Sequence, residues 1–269
     1  MLRDITIGQY YPVESPIHKL DPRFKIIAIA MYIISLFLVD KVIAYGLIVL
    51  FLSGVIYLSK VPFSYMVKGL KPIMMIIIFT VGINLFFTDG TPLITYKFIR
   101  ITYEGVQIAV FMALRLVFLI MGTSLLTLCT TPIELTDAIE HLLMPFKKIG
   151  LPAHELAMMM TISLRFIPTL LEETDKIMKA QMARGANMDS GNLYQRARNL
   201  IPILVPLFVG AFRRADELAM AMESRCYRGG ENRTRLKQLK YTKLDIYGVV
   251  SMILFMSFVI ASKQIKIGW

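Results

Sequence analysis

The feature that most constrains this chain is a series of apolar runs too long to be one face of a soluble helix. A bilayer core about 30 Å thick is crossed by about 20 mostly apolar residues, because each adds about 1.5 Å to a helix. Segments 20–39, 42–59, 72–88, 105–129 and 244–262 reach or approach that length. The third is short unless Gly69 and Leu70 join it, and the fourth is long enough to tilt. Composition agrees: 56% of the residues are hydrophobic and only 18% are charged, with a mean hydropathy of +0.60. The reading is an all-α, polytopic membrane protein with about five transmembrane helices.

The net charge of +11 raises the question of nucleic acid, and the positions of the charges argue against it. They cluster beside the apolar runs, where Lys and Arg set the orientation of a membrane protein. With five spans, 24 of the 30 Lys and Arg fall on one side, in the N-terminal arm, the loop after Ser59 and segment 130–243. Lys41, Lys97, Arg100, Lys263 and Lys266 fall on the other, and Arg115 is left inside the fourth span. The N-terminus is therefore expected in the cytoplasm of a prokaryotic cell, with the protein in its plasma (inner) membrane. Arg3, Asp4, Glu14, His18, Lys19 and Asp21 break up the first 22 residues, so no signal peptide is expected and the first internal apolar helix should start insertion. Cys129 and Cys226 make no disulfide framework.

Three regions follow: 1–129 with four spans, a cytoplasmic region at 130–240, and a last span in 241–269. The middle region carries helix signals rather than linker composition. Thr131-Pro132-Ile133-Glu134 reads as an N-cap, a first-turn proline and an acidic first turn. That helix should stop near Pro145 or Gly150. Leu151-Pro152 opens a longer helix to about Arg184, with Gly185 as the stop, and a third runs from about Asn192 to Arg225. The apolar stretches 156–171 and 201–212 inside these helices are kept on the cytoplasmic side. If both crossed, the loop between them would put Lys176, Lys179, Arg184, Arg196 and Arg198 outside.

The last turns of the two long helices resemble each other. At an offset of 41, Asp175 aligns with Asp216, Ala180 with Ala221 and Arg184 with Arg225. Residues nine apart lie about 180° around a helix, so each Asp cannot pair with its Arg and the Arg is left to reach outward. One reading is that the arginines complement their helix dipoles. The other is a paired docking device for two similar partners, because the small residues flanking each Arg allow a second backbone to approach.

Together with Ser15-Pro16-Ile17-His18-Lys19-Leu20-Asp21-Pro22-Arg23 and Ser163-Leu164-Arg165-Phe166-Ile167-Pro168, the pair Ala183-Arg184-Gly185 and Ser224-Arg225-Cys226 resembles the transmembrane coupling subunit (T component, EcfT) of energy-coupling factor transporters. The resemblance covers nearly the whole chain. It implies that the two Arg motifs end cytoplasmic coupling helices, each docking into one of two ABC-type ATPase subunits. Ser224 and Cys226 depart from the family's Ala and Gly, though both are small. The implied function is to transmit ATP-driven motion to a membrane-embedded, interchangeable substrate-binding S component that releases a vitamin or metal ion inward. ATP and Mg would be bound by the partner ATPases, with no cofactor, metal or catalytic residue in this chain. The absence of any Gly-Lys pair, which a phosphate loop needs, agrees.

Met158, Met159, Met160, Met178, Met182, Met188, Met220 and Met222 lie in the cytoplasmic helices. Flexible thioethers suit surfaces that accept different partners, and these residues are the candidate S-component surface, with core filling as the alternative. Arg115 is expected to be structural, by snorkelling or by pairing with Asn84 or a carbonyl. The basic stretch Arg228, Arg233, Arg235, Lys237, Lys240 and Lys243 is placed on anionic headgroups. The competing functions are a stand-alone secondary transporter or channel with regulatory cytoplasmic helices and, behind it, a membrane-embedded enzyme.

Overall fold

The computed structural model describes residues 10–39, 42–96, 99–185, 192–229 and 239–264. These form helices α1 (Pro22–Leu38), α2 (Val42–Ser59), α3 (Phe63–Leu70), α4 (Met74–Phe87), α5 (Tyr103–Cys129), α6 (Pro132–Leu143), α7 (Ala153–Ala183), α8 (Leu193–Ser224) and α9 (Lys243–Gln264). One antiparallel strand pair, β1 (Pro92–Tyr96) and β2 (Ile99–Thr102), precedes α5. The described residues divide into two compact units, one within 10–138 and 239–264 and the other within 139–229.

The first unit holds the apolar helices, and three segments among its described residues are long and apolar enough to cross a membrane: Phe63–Phe87, Tyr103–Cys129 and Lys243–Ser262. Gly69 and Leu70 do join the third run, because α3 continues through a 3₁₀ turn at Lys71–Ile73 into α4. Helices α1 and α2, of 17 and 18 residues, stand at the lower limit of about 17 for a span. The chain is an all-α membrane protein with one small hairpin that the apolar pattern did not announce. The buried cluster includes Leu36, Ile48, Met66, Leu128 and Phe255, whereas Met75 and Phe87 are each 82% exposed. Large apolar side chains face outward because hydrocarbon, not water, is the solvent there. Tyr32 and Tyr45 satisfy their buried hydroxyls on the carbonyls of Phe118 (3.0 Å) and Phe111 (3.3 Å). Gly122 lets the Tyr32 ring lie directly against α5, where a Cβ would run into it.

A polar knot joins the starts of α1 and α9 to the end of α5. The Asp21 side chain caps α1 by accepting from Arg23 N–H at 2.8 Å. The Asp21 N–H donates to Asp245 Oδ1 at 2.7 Å, and Asp245 Oδ2 accepts from the N–H of Thr242 at 2.6 Å. Asp245 thus closes the first turn of α9 and holds the entry to α1. The buried Lys25 ammonium donates to the carbonyls of His18 (3.1 Å) and Cys129 (3.0 Å). A cation here meets the orphan carbonyls and negative end of α5. Arg23 reaches the Leu239 carbonyl at 3.0 Å and lies over the Tyr241 ring.

His18 completes the arm. Its Nε2 lies 3.1 Å from the Tyr11 carbonyl, which only accepts, so Nε2 carries the proton and Nδ1 accepts from the Ser15 hydroxyl at 2.6 Å. Burial, first among the causes, holds this imidazole below its ordinary value. A lowered folded pKa means the contribution is present above the unfolded value of about 6.5 and is lost as pH falls through the folded one. Hydrogen exchange of residues 10–20, corrected for intrinsic rates, should therefore rise as pH drops from about 7.5 to below about 6.5. Equal protection at both pH values would contradict this role for His18.

The structure places Arg115 on a carbonyl rather than on Asn84. Its Nη2 donates to the Val39 carbonyl at 3.0 Å and the guanidinium lies over Phe37, while Asn84 donates to the Thr80 carbonyl. Arg115 thereby serves the C-terminal end of α1, as the structural expectation for it required. The turn at Asp40-Lys41 lies outside the described residues, as do Met188, Arg233, Arg235 and Lys237.

Candidate functional site

In the second unit, α7 and α8 are 31 and 32 residues long. Their ends follow the sequence signals. Thr131 and Glu134 exchange backbone and side-chain hydrogen bonds, both 3.3 Å, in a capping box at the start of α6. Gly150, with φ +90°, ends the 3₁₀ turn that follows α6, and Asn192 with Gln195 forms a capping box at the start of α8. Pro168, Pro202 and Pro206 lie within the two long helices.

Helices α7 and α8 pack antiparallel. The Gln181 amide donates to the Pro202 carbonyl at 3.4 Å, and further back Arg214 pairs with Glu173 at 2.5 Å. Gly210 makes room for that pair, since a Cβ there would sit 2.8 Å from Glu173 Oε1. Between the helices lies an apolar cavity of about 500 Å³ lined in part by Met178, Met182, Leu200, Ile203 and Leu207.

The two Arg motifs occupy equivalent backbone positions. Arg184 is the C-cap of α7 at φ −86°, ψ 7°, and Arg225 is the C-cap of α8 at φ −89°, ψ 11°. Each is followed by a residue in the left-handed region, Gly185 at φ +86° and Cys226 at φ +54°. The Gly185 N–H returns to the Met182 carbonyl and the Cys226 N–H to the Glu223 carbonyl, at 3.0 and 2.8 Å. Ala183, Arg184 and Gly185 are exposed, and so are Ser224, Arg225 and Cys226. Asp175 pairs with Lys179 at 3.6 Å, one turn on, and not with Arg184. The offset alignment of the sequence is thus a duplicated helix end, down to the backbone angles.

The two ends do not lie side by side. Tyr227, two residues past Arg225, touches His154 in the first turn of α7, whereas Arg184 lies 30 residues further along that helix, roughly 45 Å of helix rise. The methionines are spread in the same way. Met159, Met182 and Met220 are exposed, and Met158, Met160, Met178 and Met222 are half-buried. About 35 Å of helix separates Met159 from Met182, and Met158, Met159 and Met160 project from successive positions about 100° apart. They make no single patch.

Sequence reasoning missed the contact among Glu140, His154 and Tyr227: His154 Nδ1 lies 3.0 Å from Glu140 Oε1 and Nε2 lies 3.1 Å from the Tyr227 hydroxyl. The residues are too far apart in sequence for any spacing rule to group them. Among the described residues, no group of three His, Cys, Asp or Glu side chains stands ready to hold a metal ion.

Comparison with known proteins accords with this geometry. The family model for CbiQ, the cobalt transport protein, matches residues 13–236. An energy-coupling factor transporter transmembrane protein EcfT of Clostridium kluyveri is 62% identical over 91% of this chain and 92% of its own length. The proteins of the same name from Thermosediminibacter oceani and Bacillus subtilis are 58% and 51% identical, over 93% and 94% of this chain and 94% and 96% of theirs.

The helix ends make a prediction of their own. Nothing lies within 4 Å of a Cβ built at Gly185, so Gly185→Ala costs only backbone strain, about 1–2 kcal/mol. Cys226→Gly should be neutral or stabilising by up to about 1 kcal/mol, its relieved strain partly offset by chain entropy. Amide exchange over the last turns of α7 and α8 reads both. Opposite signs to these would show that the left-handed residues are not what closes the helices.

Proposed function

The chain belongs to the CbiQ cobalt transport protein family, and on that premise we propose that it is the transmembrane coupling subunit of an energy-coupling factor importer. Two ABC-type ATPase subunits hydrolyse ATP, this chain carries their motion, and a membrane-embedded S component is reoriented to release a vitamin or metal ion inward. The chain contributes no catalysis and binds no cofactor; ATP and Mg belong to the ATPases. With a five-span topology, the side holding most Lys and Arg, and with it the N-terminus and segment 130–240, would face the cytoplasm of a prokaryotic cell.

One observation carries this reading. Two long helices end in the same exposed Arg, at the same backbone angles, each followed by a left-handed residue. A dipole-complementing charge needs neither the duplication nor the small exposed neighbours. A surface made twice, at two well-separated helix ends, suits two related partners. An Arg there presents a planar fork of donors to carboxylates or backbone carbonyls on the partner, while its small neighbours let that partner's surface come close. We assign the first docking end to Ala183, Arg184 and Gly185 and the second to Ser224, Arg225 and Cys226.

The S component is assigned to the methionine-bearing helices, at Met158, Met159, Met160, Met178, Met182, Met220 and Met222. Their spread along α7 and α8 requires an extended footprint rather than a pocket. Met159→Glu, Met182→Glu and Met220→Glu combined should lower S-component recovery in co-purification while ATPase recovery stays unchanged. Unaltered S-component recovery would remove these residues from the surface.

The docking assignment is tested by purification from solubilised membranes. The native chain should bring down two ATPase-sized partners. Arg184→Glu with Arg225→Glu should lose both while inserting normally, and each single change should be partial. A native chain that is recovered alone and moves solute in liposomes would instead be a stand-alone transporter.

A further inference from the structure

The two docking ends are alike in backbone but not in what holds them. Around Arg184 the described bonds are those of the helix itself, together with the Gln181–Pro202 bond one turn earlier. Around Arg225 a chain of side chains takes over. Tyr227 follows Cys226 in the reversed turn, its N–H returning to the Met222 carbonyl at 3.0 Å. Its hydroxyl meets His154 Nε2 at 3.1 Å, and His154 Nδ1 meets Glu140 Oε1 at 3.0 Å.

The chemistry of this chain is directional. A carboxylate accepts only, so His154 Nδ1 carries the proton toward Glu140, and Nε2 shares a hydrogen bond with the Tyr227 hydroxyl, which can both donate and accept. The Glu140 side chain is only 7% exposed, where hydrogen bonds to a charged group count for more than at the surface. Three elements are joined: Glu140 on α6, His154 in the first turn of α7, and Tyr227 just past the end of α8. Tyr227 and Arg225 share one tight turn, so moving the ring moves the guanidinium.

We propose that Glu140, His154 and Tyr227 form a positioning relay that fixes the second docking end, and that among the described residues the first docking end has no such tether. The inference rests on the reading that Arg184 and Arg225 dock the ATPases. None of the three residues touches ATP or solute; each acts through the place it gives Arg225. One partner then meets an end anchored to α6 and α7, and the other meets an end held by its own helix and by α8.

The chain contains its own reporter. Cys226 is exposed and Cys129 is buried, so a bulky maleimide reads the Arg225 end in the native chain. Ala180→Cys, with Cys226 kept and the labelled peptides told apart by mass, places a second thiol one turn before Arg184, on an exposed position, and reads the other end. Labelling of the solubilised chain is compared with and without the ATPases that co-purify with it, in the native relay and in His154→Ala and Tyr227→Phe.

The expected result is protection of both thiols by the ATPases when the relay is intact. His154→Ala and Tyr227→Phe should each reduce protection at Cys226, by roughly tenfold for loss of a bond to a charged network. Protection at Ala180→Cys should not change. His154→Gln, which keeps a donor and an acceptor, should restore part of the loss. Equal loss at both thiols would make the triad a general fold element and overturn the inference, as would unchanged protection at Cys226. ATPases that bind the native chain yet protect neither thiol would overturn the docking reading itself, and the relay with it.

Discussion

Everything in the membrane unit hangs on a knot of ionic and backbone groups at one end of its helices. Asp245 closes the first turn of α9 and at the same time accepts the N–H of Asp21, which caps α1. Lys25 reaches from α1 to the last carbonyls of α5. In hydrocarbon, apolar side chains gain little by meeting one another rather than lipid, so packing and a few satisfied polar bonds must decide which helices adjoin. Three helix ends whose orphan groups satisfy each other give that decision a fixed address. Arg115 does the same at the opposite end of α1, on the Val39 carbonyl.

The second unit follows a different rule. Its helices α7 and α8 are long and packed antiparallel through a narrow set of contacts, with the Glu173–Arg214 pair beside Gly210 at one level and Gln181 on Pro202 at another. Their C-terminal ends are copies in backbone geometry and sit far apart along the pair. That combination is suited to receiving two related partners at once, and the long levers between them are suited to moving. The proposed relay at Tyr227 would make the copies unequal, so that equal pushes at the two ends have unequal consequences.

Much of this could be read from the residues because the signals were local. Thr131-Pro132-Ile133-Glu134 announced a helix start, which the structure closes as a capping box, Gly150 and Gly185 marked stops, which it holds at positive φ, and the Arg184/Arg225 offset of 41 became a repeat of dihedral angles. Features built from distant or backbone partners were not legible. Asp21 and Asp245 lie 224 residues apart, and nothing in either stretch names the other. The carbonyl that receives Arg115 belongs to a residue whose side chain carries no polar group. The third apolar run looked short because Lys68 and Lys71 flank Gly69-Leu70, yet the helix continues through a 3₁₀ turn. Strands of five and four residues are too brief for alternation to stand out against apolar neighbours. The methionines, grouped by residue type, scattered over two helices because composition says nothing about helix face.

The central claim is that motion enters at the two Arg ends and that this chain transmits it. Spin labels on Cys226 and on Ala180→Cys, in the complex solubilised with its ATPases, give the distance between those ends directly by pulsed electron paramagnetic resonance. A distance that shifts between the ATP-bound and nucleotide-free complex, and stays fixed in the chain without its ATPases, is the predicted result. A distance indifferent to nucleotide in the intact complex would contradict the account.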